Sequence, residues 1–231
     1  MAMVDFHSHI LPGIDDGSRD VAESLSMLSL LQEQGVDVVV ATPHYYANRQ
    51  SMEKFLRQRQ EAYQILLGEL GEQSPKILLG AEVRYYEGIS RLENLSALCI
   101  GSTKLLLLEM PFAKWTEYTI RELEDLACSG GVQLVLAHID RYLAFQTPDV
   151  WDRLLASGIL MQLNAEVFDG FWSKRKALRL LSEQRAHLIG SDCHNLSSRA
   201  PEIHKAYNAI RNKFGEGFIH QMNDFARELL A

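Results

Sequence analysis

The sequence predicts an α/β protein whose parallel strands form a closed or nearly closed barrel. Short apolar runs of strand length alternate with longer segments at helical spacing, an order typical of parallel strands joined by right-handed crossovers. About seven such units, with no low-complexity linker between them, fit one barrel better than two domains, and single α/β barrels reach about 250 residues. We therefore expect a single domain over residues 1–231.

The first units show the alternation clearly. "MVDFH" at 3–7 predicts a strand, and the segment 20–34 places apolar side chains at helical spacing before Gly35, which suits a helix C-terminus. "VDVVVATPH" at 36–44 predicts a β-branched buried strand, and a long helix follows over about 51–70.

Five further strands and several helices complete the predicted barrel. The strands are "KILLGAEV", "KLLLLEMPF", "VQLVLAHID", "ILMQLNAEV" and "AHLIGSDCH", and helices over 116–130 and 148–158 stand between some of them. A last helix, 216–230, gathers Phe218, Met222, Phe225 and Leu229 on one face. That face suits packing on the barrel wall or a contact with a second subunit, so an oligomer stays open.

Composition limits the classes of function. The net charge is −7, which argues against a non-specific nucleic-acid binder because such proteins need a basic face. The three cysteines are widely spaced without a CxxC pair, as in a reduced cytoplasmic protein without disulfides. The N-terminus has no signal-peptide pattern, and the apolar runs are too short to span a membrane, so we expect no membrane insertion.

Ionisable residues recur where the predicted strands end. They are His7, His9, His44, Glu82, Glu109, His138, Asp192 and His194. In a barrel of parallel strands these ends meet on one face, where catalytic groups of such folds collect. Side chains 185 positions apart would then line one cavity.

The local patterns indicate a metal site. His7-x-His9 has the period of a strand, so both imidazoles point to one side, and Asp192-x-His194 repeats that spacing. Alone, either motif is weak, and the second also fits a turn. Glu82 stands in an apolar strand, where a carboxylate is rarely buried without a partner.

Glu109 and His138 are, like Glu82, ionisable residues in apolar strands, and together the three residues suggest a shared cation. Taken singly, His44 fits a loop histidine better than a ligand, and Asp15 and Asp16 fit a glycine-containing turn, Asp15 more so. His187, His204 and His220 have no partner at ligand spacing, and we interpret them as structural or surface residues.

Taken in order, the motifs resemble those of the polymerase-and-histidinol-phosphatase (PHP) superfamily. They are "FHSHILPGIDDG", "ATPHYY", "GAEVRYY", "LLLLEMP", "LAHIDRY" and "IGSDCHNLSSR". Within the superfamily they most resemble the bacterial manganese-dependent protein-tyrosine phosphatases of capsule and exopolysaccharide export. The resemblance implies a distorted (β/α)7 barrel with three divalent ions, with Mn²⁺ favoured and Fe or Zn²⁺ the alternatives.

The resemblance also implies the ligands of each ion. The first would take His7, His9, Glu82 and Asp192; the second Glu82, Glu109 and His138; the third Asp16, His44 and His194. Glu109 stands where other branches of the superfamily carry histidine. Arg141 and Arg199 match family positions that bind phosphate, and a guanidinium fork suits phosphate oxygens.

The implied reaction is hydrolysis of phosphotyrosine by a hydroxide that bridges the ions. The implied substrate is the tyrosine-rich tail of a bacterial tyrosine kinase. A small-molecule phosphatase acting on a compound like histidinol phosphate, an exonuclease and a non-catalytic metal-binding regulator are alternatives. Aromatic residues after the strands could flank a phosphotyrosine ring, although loop packing explains most of them equally well. They are Tyr45, Tyr46, Tyr86, Phe112, Trp115, Tyr142, Phe171 and Trp172.

A different phosphatase chemistry matches one motif only formally. Cys193-x5-Arg199 has the spacing of a cysteine-dependent phosphatase loop. No glycine lies between these residues to form a tight anion-binding turn, and Asp192 adjoins the thiol. Strand alternation also turns Cys193 away from the face of Asp192 and His194, so we interpret the match as coincidence.

Overall fold

The structure is a computed structural model that describes residues 3–129 and 131–231. Met1 and Ala2 of the expected domain and Gly130 of the predicted helix 116–130 lie outside the described residues. Within that range no helix is both long and apolar enough to cross a membrane.

The wall of the barrel consists of short strands whose pairings are all parallel, as expected. The strands are β1 (Met3–Ser8), β2 (Val36–Ala41), β3 (His44–Tyr45), β4 (Lys76–Leu79), β5 (Glu82–Arg84), β6 (Leu105–Glu109), β7 (Gln133–Leu136), β8 (Leu160–Asn164) and β9 (Leu188–Gly190). Hydrogen bonds order them β1-β2-β4 in one sheet and β3-β5-β6-β7-β8-β9 in the other.

Two of the predicted strands are each interrupted, which explains why nine strands correspond to seven runs of sequence. Pro43, which has no N–H to donate, separates β2 from β3. Gly80 separates β4 from β5 at a point where a Cβ atom would lie 2.9 Å from the Ile100 side chain. These interruptions are the distortion of the (β/α)7 barrel, and the predicted fold class is confirmed.

The first and last strands close the barrel. Ser8 and Cys193 form a parallel bridge, and the His9 N–H donates to the Cys193 carbonyl at 2.9 Å. Gly190 permits this close approach, because a Cβ atom there would lie 2.5 Å from the Cβ of His7. Closure brings residues from both ends of the sequence side by side.

The helices follow the predicted order. They are α1 (Val21–Glu33), α2 (Met52–Leu67), α3 (Glu117–Cys128), α4 (Pro148–Ala156), α5 (Phe171–Ser182), α6 (His204–Phe214) and α7 (Glu216–Leu230). Asp20 caps α1 by accepting the Glu23 N–H, and Gly35 follows the helix with a φ of +91°, a conformation that favours glycine. The second helix ends before the predicted residue 70, at Gly68.

Two apolar clusters hold the strands in place. The larger one lies between strands and helices, and the smaller one, around Val4, Val40, Leu107 and Val135, fills the barrel. Helix α7 closes the smaller cluster with Ala226 and neighbouring apolar side chains. The last helix therefore packs on the barrel, which is one of the two alternatives for its apolar face.

Candidate metal centre

The carboxyl ends of the strands bring all nine predicted metal ligands to one end of the barrel. His7 lies in β1 and His9 just beyond it, His44 and Glu82 begin β3 and β5, and Glu109 ends β6. The remaining four lie in the loops that follow β1, β7 and β9: Asp16, His138, Asp192 and His194. Seven of the nine side chains are buried, Asp16 is exposed and His44 is half-buried.

The imidazole rings of His7 and His9 face one another through their Nε2 atoms, which cannot both donate a hydrogen to each other. The Nε2 atoms of His7 and His9 lie 3.1 Å apart. The Nδ1 atom of His7 lies 3.3 Å from Gln162 Oε1, and that of His9 lies 2.7 Å from Asp15 Oδ2. With each Nδ1–H donating to its acceptor, both neutral rings direct Nε2 lone pairs toward one point, which is the arrangement of histidines that bind a cation.

Glu82 lies at the centre of this arrangement. Its Oε2 atom is 3.4 Å from His7 Nε2, 3.3 Å from His9 Nε2 and 2.8 Å from His44 Nδ1. Its Oε1 atom is 2.7 Å from His138 Nε2. One carboxylate thus contacts four imidazoles, as a ligand that bridges two ions would.

Three groups of side chains place ligand atoms within 4.8 Å of one another. They are His9, Asp16, His44 and His194; His7, His9 and Glu82; and His44, Glu82 and Glu109. The groups differ from the implied ligand sets because His9 and His44 each belong to two of them and because His138 and Asp192 belong to none. The assignment of individual ligands to individual ions stays a prediction.

Buried polar atoms without hydrogen-bond partners concentrate at this site. In the part of the chain that the structure describes, they include His44 Nδ1, Glu82 Oε2, Glu109 Oε2 and His194 Nε2. His44 Nδ1 and Glu82 Oε2 lie 2.8 Å apart, and Glu109 Oε2 lies 2.9 Å from Arg84 Nη1, but these are ionic contacts without hydrogen-bond geometry. The His194 Nδ1 atom lies 2.9 Å from the Asp192 carbonyl, so it donates there and its Nε2 lone pair faces the cluster. Unpartnered buried groups are costly, and nitrogen and oxygen donors without thiolate suit Mn²⁺, Fe or Zn²⁺. The residues therefore fit a set of divalent ions.

The electrostatics of the cluster favour positive charge. Burial acts to lower the pKa of His9, but the charge and hydrogen bond of Asp15 raise it well above its ordinary value. Burial likewise acts to raise the pKa of Glu82, but the neighbouring imidazoles, His7 foremost, hold it well below its ordinary range. The carboxylates thus stay ionised and attract cations.

The two predicted phosphate-binding arginines meet at one carboxylate. Arg141 and Arg199 each place an Nη2 atom on Asp192 Oδ2, at 2.8 and 2.7 Å. Asn164 Nδ2 donates to the same oxygen at 2.7 Å, and Asp192 Oδ1 lies 3.5 Å from the Nε2 atoms of His7 and His9. Asp192 therefore holds both guanidinium groups beside the imidazole cluster. Their role toward phosphate stays a prediction.

Glu109 has a cationic neighbour of its own. Arg84, on the adjacent strand β5, places Nη1 2.9 Å from Glu109 Oε2. Arg84 therefore partly balances the negative charge that a carboxylate at this position adds to the centre.

Several residues that support the cluster were absent from the prediction. Asp15 accepts the Gly17 N–H, as a turn residue should, but it also orients His9 and accepts the His44 N–H at 2.9 Å. Gln162 contacts His7 and accepts the His138 N–H. Gln162 and Asn164 are polar residues two positions apart in the buried strand "ILMQLNAEV", and that spacing was the available signal.

The predicted aromatic residues lie in several different environments. Tyr45, Trp115 and Tyr142 are buried, and the Tyr142 hydroxyl lies 3.0 Å from His138 Nδ1. The Tyr46 ring lies 5.2 Å from that of His44, and the exposed Phe112 ring stacks on His138 at 6.4 Å. These two rings border the centre, whereas Tyr86 lines a neighbouring cleft of about 330 Å³ and the side chains of Phe171 and Trp172 are exposed.

Cys193 is a core residue, as interpreted from the sequence. Its side chain is fully buried in the apolar cluster, and burial raises the pKa of the thiol to about 12. A thiol with that pKa is protonated at neutral pH and does not act as a nucleophile. This environment supports the interpretation of the formal cysteine-phosphatase motif as a coincidence.

The three histidines without ligand spacing lie away from the centre. His187 Nδ1 accepts the Met161 N–H at 3.0 Å. The backbone N–H and the Nδ1 atom of His204 both contact Gln34 Oε1, at 2.9 and 2.8 Å. His220 is exposed on α7. Their structural or surface interpretation is confirmed.

Comparison with known proteins identifies relatives along nearly the whole chain. The profile of the family described as "Capsular polysaccharide synthesis, CpsB/CapC" matches residues 3–229. Tyrosine-protein phosphatase YwqE of Bacillus subtilis (strain 168) is 29% identical, with 99% of this chain and 91% of the relative aligned. Tyrosine-protein phosphatase CpsB of Streptococcus pneumoniae is 30% identical, with 92% of this chain and 91% of the relative aligned.

Solved structures give the same result for the fold. A crystal structure from the study of YwqE and CpsB as "unique metal-dependent tyrosine phosphatases" superposes with a TM-score of 0.84 at 27% identity, covering 99% of this chain and 94% of that one. The phosphotriesterase homology protein of Escherichia coli, with phosphate in its active site, superposes with a TM-score of 0.57 at 14% identity, over 100% of this chain and 98% of that one. At that identity the second match concerns the fold alone.

Proposed function

Because the chain belongs to the capsular polysaccharide synthesis family CpsB/CapC, we propose that it is a metal-dependent protein-tyrosine phosphatase. The observation that carries the proposal is the pair of Nε2 atoms of His7 and His9, 3.1 Å apart, directly beside two guanidinium groups on Asp192. A cation site adjoining an arginine pair suits a phosphate ester.

The proposed centre holds three divalent ions, with Mn²⁺ the native metal. The three groups of clustered ligand atoms support that number, and the absence of thiolate donors from these groups supports a metal that accepts oxygen and imidazole. When bound, the ions supply Lewis acidity and lower the pKa of a coordinated water toward about 7.

The protein's own groups bind and orient the substrate. Arg141 and Arg199 bind phosphoryl oxygens through the guanidinium N–H groups that do not face Asp192. Asp15 and Gln162 fix the orientation of His9 and His7. The apolar faces of the Tyr46 and Phe112 rings, which border the centre, hold the aryl group of phosphotyrosine.

The proposed substrate is a phosphotyrosine segment of a bacterial tyrosine kinase that controls capsule export. We propose that the reaction takes place in the cytoplasm and that residues 1–231 act as one domain. The names of the relatives support the phosphotyrosine chemistry and the link to capsule synthesis. The tail of the kinase comes from the sequence resemblance, and the compartment comes from the widely spaced cysteines without a CxxC pair.

Metal dependence tests the proposal directly. A chelator should abolish hydrolysis of phosphotyrosine and of an aryl phosphate, Mn²⁺ should restore it, and histidinol phosphate should be a poor substrate by kcat/KM. Full activity in a preparation shown by elemental analysis to be metal-free would refute the proposal. A preference for histidinol phosphate would instead favour the small-molecule phosphatase.

A pair of variants separates the two phosphatase chemistries. His9→Ala removes an imidazole from the centre and should eliminate activity, whereas Cys193→Ser changes a buried core thiol and should cost little. The opposite order, or inactivation by alkylation with metal present, would establish a thiol nucleophile.

A further inference from the structure

A basic groove runs along the outside of the barrel between α5 and the end of α6. Its volume is about 590 Å³, and it is lined by Phe171, Lys174, Arg175, Leu178, Arg179, Ser182, Lys213 and Phe214. Six of these residues lie on α5 at positions three or four residues from one another, so they form one face of that helix. The lining contains four cationic side chains and no carboxylate.

The cations of the groove are poorly balanced. Arg179 contacts Glu183 at 2.7 Å, but in residues 3–129 and 131–231 no carboxylate lies within 4.0 Å of the charged atoms of Lys174, Arg175 or Lys213. The chain as a whole has a net charge of −7. A local excess of positive charge on an acidic protein attracts an anionic partner.

Aromatic side chains mark the end of the groove nearest the metal centre. Phe171 and Trp172 begin α5, are 69% and 73% exposed, and contact each other edge to face at 5.2 Å. The short helix Ala165–Phe168 connects them to the carboxyl end of β8. Asp169, two residues before Phe171, lines a small cleft of about 120 Å³ together with Asp192 and Arg199, so the chain leads from that cleft directly to the groove.

We propose that the basic groove binds an acidic stretch of the substrate polypeptide adjacent to the phosphotyrosine. The inference rests on the proposed function, which places the phosphoryl group at Arg141 and Arg199. A peptide that leaves the centre past Asp169 would meet Phe171 and Trp172 first and then the cations of α5. Carboxylate side chains of that peptide would complement the three unpaired cations, and its apolar side chains would contact Phe171, Leu178 and Phe214.

The shape of the groove favours a polypeptide over a membrane surface. Exposed aromatic residues beside lysine and arginine also occur in helices that lie on anionic lipid. Here, however, the cations line a concave groove between two helices, which an extended chain can enter and a flat bilayer cannot.

Binding without turnover is the first measurement. Trp172 is exposed, whereas Trp115 and Trp151 are buried, so tryptophan fluorescence reports on this end of the groove. An unphosphorylated peptide with four glutamates should change that fluorescence at low salt, and its glutamine counterpart should not. The change should disappear in Trp172→Phe and weaken as salt screens the charges.

Kinetics provide the second measurement. The groove variant Lys174→Gln/Arg175→Gln/Lys213→Gln should reduce the preference for glutamate-flanked over glutamine-flanked phosphotyrosine peptides about tenfold in kcat/KM, as expected for three exposed charge contacts. Lys54→Gln/Arg57→Gln/Lys76→Gln removes the same charge elsewhere and should preserve the preference. Hydrolysis of free phosphotyrosine should be unchanged in both.

Three results would each overturn the inference. The first is an equal kcat/KM for the two peptides in the unmodified protein, and the second is a preference for the glutamate-flanked peptide that survives in the groove variant. The third is a Trp172 fluorescence response to phosphatidylserine vesicles but not to the acidic peptide. Failure of the proposed function has a different signature. In that case free phosphotyrosine is not hydrolysed at all, while the fluorescence titration still reports whether the groove binds the acidic peptide.

Discussion

At the amino end of β1, the side chain of Asn223 from α7 forms hydrogen bonds through both of its polar atoms: Oδ1 accepts the Val4 N–H at 2.9 Å and the Tyr207 hydroxyl at 3.0 Å, and Nδ2 donates to the Ile219 carbonyl. At the carboxyl end of the same strand, the Nε2 atoms of His7 and His9 lie 3.1 Å apart with no hydrogen atom that both can share as donors. The distance between these ends is only the length of a six-residue strand.

The difference teaches how to distinguish buried polar groups that stabilise from those that act. Around Asn223 the donors and acceptors balance without any added group, as expected of a structural network. Around Glu82 several buried atoms lack partners, and the balance is restored only by cations. In barrels of this type, the carboxyl face carries the catalytic groups and the amino face carries stability.

The largest expected effect is at Glu82, where the difference between the carboxyl end and the amino end of the barrel should be clearest. Glu82→Gln removes the charge shared by four imidazoles, so it should lower the metal content. Substitution of a residue that only supports a metal ligand costs up to about 100-fold in activity. Loss of a ligand itself should therefore reduce kcat/KM by more than that. Elemental analysis and a phosphotyrosine assay provide the measurement. Normal metal content and activity would show that the carboxylate is structural, like Asn223.

The next largest effect is at the arginine pair. Arg141→Ala or Arg199→Ala should reduce kcat/KM about 100-fold, as loss of one charge-stabilising donor does, without changing metal content. Lysine at either position should restore little, because it cannot reproduce the planar fork. If metal is lost in proportion to activity, the arginines act by holding Asp192 rather than by binding phosphate.

Asn223 tests the opposite end of the barrel. Asn223→Ala leaves the buried Val4 N–H without its acceptor and should lower the free energy of unfolding by about 1–3 kcal/mol, with kcat/KM unchanged below the unfolding transition. Denaturant titration gives the first quantity. Asn212→Ala, on the exposed face of α6, is the matched control and should stay within about 0.5 kcal/mol.

The smallest expected effect is at His187, whose contribution to the free energy of unfolding depends on pH. Burial lowers the pKa of His187 below its ordinary value, so as pH falls below about 6.5 the unfolded chain takes up a proton that the folded chain resists. Stability should therefore decline on acidification, by at most about 1.4 kcal/mol per pH unit from this group. His187→Gln should remove that share of the slope, and an identical slope in the variant would contradict the assignment.

The sequence predicted the barrel and the clustering of its strand-end residues because both depend on local periodicity. Alternation of strands and helices determines which ends meet, so His7 and Asp192 could be placed together without coordinates. The interruption at Gly80 could not be predicted, since it depends on the Ile100 side chain from a distant loop. Nor could the attachment of Arg141 and Arg199 to one oxygen of Asp192, because side-chain pairing between loops leaves no periodic pattern.

The bridge between Ser8 and Cys193, with Gly190 pressed against His7, has a consequence for the order of events during synthesis. The chain emerges from the ribosome with His7 and His9 first, but their partners Asp192 and His194 follow some 185 residues later. Contacts of such sequence separation form late in folding. A nascent chain without β9 and the loop after it therefore carries seven of the nine predicted ligands, and full metal affinity should arise when the last strand closes on the first. Metal capture would then mark completion of the barrel and make premature unfolding of β9 costly once the ions are bound.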